Sequence, residues 1–486
     1  MHRRSASPPP ALRLWAALLA AMLACLPAAR AQAPQYATMA AQPDPLSFVK
    51  RADTQLMLQD DPLRFGGVNI RWLGMRQDAG QPARRPTQFE VQDALATAQA
   101  LGAAVIRLPG LASSSGCPLC LEATPGAINP EAMAQLDLVL ATARNLGLKV
   151  ILPLADANLP DGFFTDQKRQ AAVLARVQAV LAHVNSQTSV AYVDDPTILA
   201  WENCDACGAH ADPAAVSAWV ETLGQAIKAA DKRHLYENGA FAGQLGHGTA
   251  HPMAASLFAP PSVDIVGDRL TPHGDTLAAR GQLDDAVADA SHAGRAYVLD
   301  DYGWAPSLWP AQADFETWLN DVTRARDLAG AIVGNLESHA DRGGYLPAHA
   351  PTALGESALY FPGRQTGEAD LTTMQERGRA IRRFNFAMAG LIHPPTYLLP
   401  PKPEILSAAH GKLVWRGAAG AANYTIERSP DPSSPFTWTT VCDACVTDDP
   451  GTWQDPHPEG SQWYRLMPNN INGHHAVPSE PMSSTQ

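Results

Sequence analysis

Four acidic residues sit where two short apolar runs end, and their placement is what chemistry would use. Asp194-Asp195-Pro196 precedes Thr197-Ile-Leu-Ala-Trp201, and the run leads into Glu202, Asn203, Cys204, Asp205, Ala206, Cys207 and Gly208. A second run, Ala296-Tyr-Val-Leu299, ends in Asp300-Asp301, with Trp304 close behind. Two carboxyl groups facing one another across a cleft can share acid and base work. One protonates a leaving oxygen while the other attacks or activates water, as in cleavage of a glycosidic bond. Aromatic neighbours such as Trp201 and Trp304 suit a sugar ring. A lone acidic residue at a strand end is more often a helix cap or a solvated loop residue, so the pair carries the signal.

The elements that must position these residues are legible along the chain. Near-continuous apolar runs at 64–70, 103–108, 148–154, 197–203, 234–239, 263–268, 296–301 and 329–335 read as buried strands. Amphipathic stretches at 88–101, 129–146, 166–186, 213–230, 276–292 and 311–327 read as the helices between them. Eight strands buried on both faces predict a closed parallel (β/α)8 barrel, with a helix at 370–390 closing it. No Gly-x-Gly-x-x-Gly follows a strand, so a dinucleotide-binding sheet gains no support. A barrel of this kind builds its site at the carboxyl ends of its strands, where Glu202, Asp205 and Asp301 stand.

The flanking segments set the domain plan. Arg3 and Arg4 precede an apolar run from Leu12 to Leu26, and Ala29-Arg30-Ala31 offers a small-x-small cleavage site, so residues 1–31 read as a signal peptide. Cys25 is a poor match to a lipid-anchor cysteine. The expected mature protein is secreted or periplasmic, with no membrane association after cleavage. Residues 32–45 read as a flexible segment, and Phe48 to Leu58 as a hairpin turning at Asp53-Thr54. The barrel is expected over 46–392, a stiff proline-rich linker over 393–403, and a small antiparallel sandwich over 404–486. The net charge of −12 argues against nucleic acid as a partner and suits a neutral ligand. The expected state is a monomer, without a cofactor.

Six cysteines remain beyond the signal segment, as the pairs Cys117/Cys120, Cys204/Cys207 and Cys442/Cys445. Outside the cell such pairs form cystines. The competing reading is a tetrathiolate zinc site from Cys117, Cys120, Cys204 and Cys207. Sequence alone leaves the pairing open. His247, His251 and His273 read as loop histidines.

Several motifs in order resemble glycoside hydrolase family 5, its β-1,4-mannanase-type members above all. They are Phe65-Gly-Gly-Val-Asn69, Val190-Ala-Tyr-Val-Asp-Asp-Pro-Thr-Ile-Leu-Ala-Trp-Glu202, Val263-Asp-Ile-Val, Asp301-Tyr-Gly-Trp304, Gly330-Ala-Ile-Val, Gly343-Gly344 and Phe361-Pro-Gly363. The C-terminal segment resembles a fibronectin-III-like module. The resemblance implies a β-linked mannan or glucan as ligand. It implies sugar contacts at Asn69, Trp72, Arg107, Glu202, Arg269, Trp304 and His339. The family's Trp-Glu-x-x-Asn-Glu motif, whose last Glu is the acid/base, becomes Trp201-Glu-Asn-Cys-Asp205-Ala206. The nucleophile of its Glu-Phe/Tyr-Gly motif becomes Asp301, the His-x-Tyr of strand six becomes Arg269-Leu270-Thr271, and a strand-eight Trp becomes Gly334.

Ala206 has no proton to give, and Asp301 is one methylene short of the close carboxyl spacing, about 5–5.5 Å, that a retaining mechanism uses. Asp205 is a weak substitute acid, expected to face away until its loop rearranges. Hydrolysis is therefore expected to be lost or strongly reduced. The alternatives are an active mannanase-type hydrolase using Asp301 and a rearranged acid, or an interaction module with a vestigial cleft.

Overall fold

The computed structural model describes residues 47–78, 80–111, 117–124, 126–155, 159–160, 162–208, 211–240, 258–270, 272, 276–302, 311–348, 358–366, 369–458 and 460–485. They belong to one compact unit spanning Pro43–Gln486. The expected signal peptide lies outside the described residues, as do Trp304, His247, His251 and His273.

A hairpin of β1 (Val49–Ala52) and β2 (Gln55–Leu58) turns at Asp53-Thr54, as its sequence suggests, and β3 (Asp61–Leu63) adds a third strand. Val49, Leu56 and Leu58 pack into one apolar cluster with Phe65, Val105, Ile151, Leu199, Leu235, Ile265, Val298 and Ile332. These are inward residues from the strand starts, so the hairpin stoppers the lower end of the barrel.

The barrel strands are β4 (Phe65–Asn69), β5 (Val105–Arg107), β6 (Lys149–Pro153), β7 (Ile198–Glu202), β8 (Leu235–Asn238), β9 (Ile265–Arg269), β10 (Ala296–Asp301) and β11 (Leu328–Val333). All pair in parallel, and β11 returns to β4 to close the ring. The helices are α1 (Gln88–Ala100), α2 (Pro130–Leu146), α3 (Gln167–Leu181), α4 (Pro213–Ala230), α5 (Thr276–His292), α6 (Gln312–Arg324) and α7 (Leu371–Met388). Local chemistry sets their ends. Thr87 and Glu90 form a capping box at α1, Asn129 caps α2 ahead of Pro130, and Gly147 ends α2 at φ 72°. Helix α3 stops earlier than its apolar pattern suggests. Asn185 folds the chain back by accepting from the amides of Gln187 and Thr188.

Strand alternation decides what reaches the site. Along β7, Trp201 packs outward against the helices while Glu202 points into the barrel. In β10 the register against β9 jumps between Leu299 and Asp301, so Asp300 is an extra residue. That bulge lets two successive carboxylates turn inward where an ideal strand presents one.

Past α7 the proline-rich stretch is extended and pinned. Arg382 donates to the Pro395 carbonyl at 2.7 Å and stacks on Tyr397 at 4.0 Å. The C-terminal part is two antiparallel sheets. One holds β12 (Glu404–Ser407), β13 (Lys412–Arg416) and β16 (Thr452–Gln454). The other holds β14 (Asn423–Ser429), β15 (Thr439–Val446), β17 (Trp463–Asn469) and β18 (Met482–Ser483). Ile405, Leu413, Trp415, Tyr424, Ile426, Tyr464 and Leu466 form their common core.

This part is seated firmly on the barrel. His339, in the loop after β11, meets Asp93 of α1 at 2.9 Å and Asp448 at 3.1 Å. Burial alone lowers the His339 pKa, but the two aspartates outweigh it and push it up to about 10. Asp448 also accepts from Trp415 and Tyr424, each at 2.8 Å. A Cβ on Gly417 would lie 2.3 Å from the His339 ring, so only glycine fits there.

Candidate active site

The inward side chains at the barrel mouth come from the ends of several strands. Asn69 of β4 donates to the Asp300 carbonyl at 2.9 Å. Arg107 of β5 grips Glu202 of β7 through two nitrogens, at 2.8 and 2.5 Å, and reaches Asp205 at 3.1 Å. Arg71, two residues past β4, holds Asp205 at 2.5 Å with one terminal nitrogen and Asp301 at 3.0 Å with the other. Arg269 of β9 lies 3.5 Å from Asp205 and 3.8 Å from Asp301. All of these side chains are buried or nearly so.

The expected outward orientation of Asp205 is corrected here. Ala206 adopts φ 56°, a left-handed conformation, and its amide donates to the Gly239 carbonyl at 2.9 Å. Asn203 accepts from the backbone of Cys204 and Gly239. The bracketing Cys204–Cys207 disulfide closes this turn and delivers Asp205 to the arginines without rearrangement. Cys117–Cys120 and Cys442–Cys445 also pair locally, which answers the pairing question and uses the thiols that a zinc site would need.

Protonation follows from the neighbours. Burial raises the Asp205 carboxyl, but Arg107, Arg71 and Arg269 outweigh it and hold its pKa far below the usual carboxylate range. An acid that never holds a proton near neutrality has none to donate. Burial likewise raises Glu202, partly offset by Arg107. Deeper in the barrel the Glu237 and Asp300 carboxyls meet, and among the described residues their oxygens have no well-formed hydrogen bond to any other group. Burial raises both carboxyls well above the ordinary range; Asp300 and Glu202 raise Glu237 further, and Glu202 raises Asp300 against the pull of Arg107, which favours a proton on the pair. Glycines make room for this crowding. A Cβ at Gly267 would lie 1.9 Å from an Asp300 oxygen, and one at Gly239 would lie 2.3 Å from a Glu202 oxygen.

Other expected contacts fall elsewhere. Trp72 is fully buried, and its indole donates to the Leu336 carbonyl at 2.9 Å, so it offers no ring face to a sugar. His339 is enclosed at the seam with the C-terminal sheets rather than in a cleft. Gly334 does border the site, since a Cβ there would stand 3.3 Å from both Asn69 and Asp301. Sequence reasoning missed Arg71 and Glu237. The available signal was a charged residue in or just past a buried strand.

A closed parallel barrel with acidic residues at the ends of its fourth and seventh strands has the architecture of a barrel glycosidase. Residues 157–308 match the family described as GH family 5 beta-mannosidase-like. It is 28% identical over 341 residues to mannan endo-1,4-beta-mannosidase 7 of Arabidopsis thaliana, covering 60% of this chain and 77% of that protein. It is 32% identical over 215 residues to mannan endo-1,4-beta-mannosidase 1 of Oryza sativa subsp. japonica, covering 40% of this chain and 48% of that one. The fold is similar to that of an endo-beta-1,4-mannanase from Thermotoga petrophila, with TM-score 0.56 and 18% identity, covering 86% of this chain and 98% of that one. The endo-1,4-beta-mannanase of Rhizomucor miehei gives TM-score 0.54 at 20% identity, covering 71% and 100%.

Proposed function

We propose that this protein is a mannanase-like, glycan-directed barrel that engages β-linked polysaccharide, mannan or a related glucan, and has lost hydrolysis. The carrying observation is the shared grip of Arg71 on Asp205 and Asp301. The resemblance assigns the nucleophile to Asp301, and in this geometry that carboxylate is occupied by an arginine. The acid position is the methyl of Ala206, and the neighbouring Asp205 is held ionised. A missing general acid costs about 10²–10⁴ in rate. Export to an oxidising compartment fits three local disulfides, and no helix among the described residues is long and apolar enough to cross a membrane. A fibronectin-III-like identity for residues 404–486 fits the two antiparallel sheets.

The test is reducing-sugar release from mannan, glucomannan and cellulose, against Asp301→Asn. The reading expects no difference between the two proteins, together with retardation of the intact chain in a galactomannan gel. Depolymerisation that disappears in Asp301→Asn overturns it. Ala206→Glu with Asp301→Glu and Arg269→His restores the family residues at three positions and should bring measurable hydrolysis.

A further inference from the structure

Of the three disulfides among the described residues, only Cys204–Cys207 encloses a carboxylate of the barrel mouth. The turn it closes lies along the segment after β8. There the Ala206 amide donates to the Gly239 carbonyl at 2.9 Å, and the Gly208 amide to the Ala240 carbonyl at 2.7 Å. Between the two sulfurs Ala206 sits at φ 56°, in the left-handed region that a residue with a Cβ resists. A bridge between residues only three apart removes little entropy from the unfolded chain, so its main effect is on the local turn. What the turn delivers is Asp205, which meets Arg71 at 2.5 Å, Arg107 at 3.1 Å and Arg269 at 3.5 Å. Arg71 extends the constraint to Asp301 at 3.0 Å. Cys204 is buried, whereas Cys207 is partly exposed, so Cys207 is the half that a solvent thiol reaches first.

We propose that Cys204–Cys207 is a redox-sensitive clamp on the barrel mouth, which a dithiol reductant opens to release Asp205 from its arginines. A thiolate of the reductant attacks the Cys207 sulfur. The S–S bond breaks, and Cys204 leaves as a thiolate that takes up a proton. The reductant's second thiolate then attacks the reductant's own sulfur in the mixed disulfide, freeing Cys207 and closing the reductant into a cyclic disulfide. Two electrons and two protons pass to the protein, and the dithiol is oxidised by the same two. Without the cross-link, Ala206 relaxes to negative φ and turns the peptide plane it shares with Asp205. The Asp205 carboxylate is thereby drawn away from the guanidiniums. Arg71, Arg107 and Arg269 then share one anion fewer, which leaves N–H donors for the hydroxyls of a ligand. The clamp regulates the site read above as glycan-directed, and rests on that reading for the ligand alone.

The experiment uses the full chain and two readouts, the urea midpoint from neutral to acid pH and retardation in a galactomannan gel. Cys204→Ser with Cys207→Ser removes the clamp. It should flatten the fall in midpoint below about pH 4 as Asp205→Asn does, and the three substitutions together should flatten it no further. Adding Ala206→Gly to the serine pair lets the left-handed turn form without a cross-link and should restore most of the parent's profile. Cys117→Ser with Cys120→Ser should leave that profile as it is. Dithiothreitol should increase retardation of the parent and change nothing in the variant that lacks Cys204 and Cys207. Acid effects of the serine pair and of Asp205→Asn that simply add would overturn the clamp, because the two would then act independently. Retardation of the parent that dithiothreitol leaves unaltered would overturn the switch. If no redox state is retarded, the glycan reading falls, while non-additive acid profiles still uphold the clamp and additive ones still reject it.

Discussion

Arg71 joins Asp205 to Asp301 through the two terminal nitrogens of one guanidinium, tying the end of strand β7 to the end of β10. Its backbone is fixed in turn, because the Arg71 amide donates to the Asn335 side chain at 2.9 Å. The arginine thus couples three loops at the mouth and occupies both carboxylates.

Removing that cation should be costly. Arg71→Ala leaves two buried carboxylates with less compensation, and breaking such a pair typically costs about 3–5 kcal/mol. Urea unfolding of the variant against the parent measures it. A loss under about 1 kcal/mol would mean that Arg269 and Arg107 suffice alone.

Acid should loosen the mouth. The Asp205 pKa is depressed in the folded chain, so its contribution is fully present above the unfolded value, near about 4, and fades as the pH falls further. Asp205→Asn should show a shallower fall in stability below about pH 4 than the parent. Parallel acid profiles for the two proteins would deny Asp205 this role.

Alkali should act at the seam. His339 is raised to about 10, so its stabilisation is complete below its unfolded value, near about 6.5, and is lost as the pH climbs through 10. His339→Gln should lower Tm near neutrality and flatten the alkaline decline. It should also expose the proline-rich stretch to protease, read as a cut that separates the sheets from the barrel.

Space for the inner carboxyl pair can be tested by crowding it. Gly267→Ala places a methyl against Asp300 and should cost about 1–3 kcal/mol, the usual range for overpacking. Glu237→Gln replaces the shared proton with an amide donor and should be nearly neutral. Calorimetry on both variants decides whether the pair holds a proton.

The strands, helices and hairpin were legible because each is written in local pattern. Apolar runs marked β4 to β11, and Thr87, Asn129 and Asp53-Thr54 marked ends and turns. The site was less so. Alternation places Glu202 inside the barrel but does not name Arg107 as its partner, and nothing local says that Arg71 will bridge two distant strand ends. Asp205 was read as facing outward because the left-handed turn at Ala206 carries no glycine to announce it. Trp72 and His339 were assigned to the cleft on family grounds. Their true neighbours, the Leu336 carbonyl and Asp448, come from segments that meet only after the ring closes. Short strands such as Thr452–Gln454 escaped because three residues hold too little periodicity.

Gly417 forms the seat for a charged imidazole that belongs to the other half of the chain. Cutting the polypeptide at its proline-rich stretch would therefore unroof a cation rather than free an accessory. Grafting either the barrel or the sheets onto a foreign partner therefore calls for a replacement lid as well as a new joint.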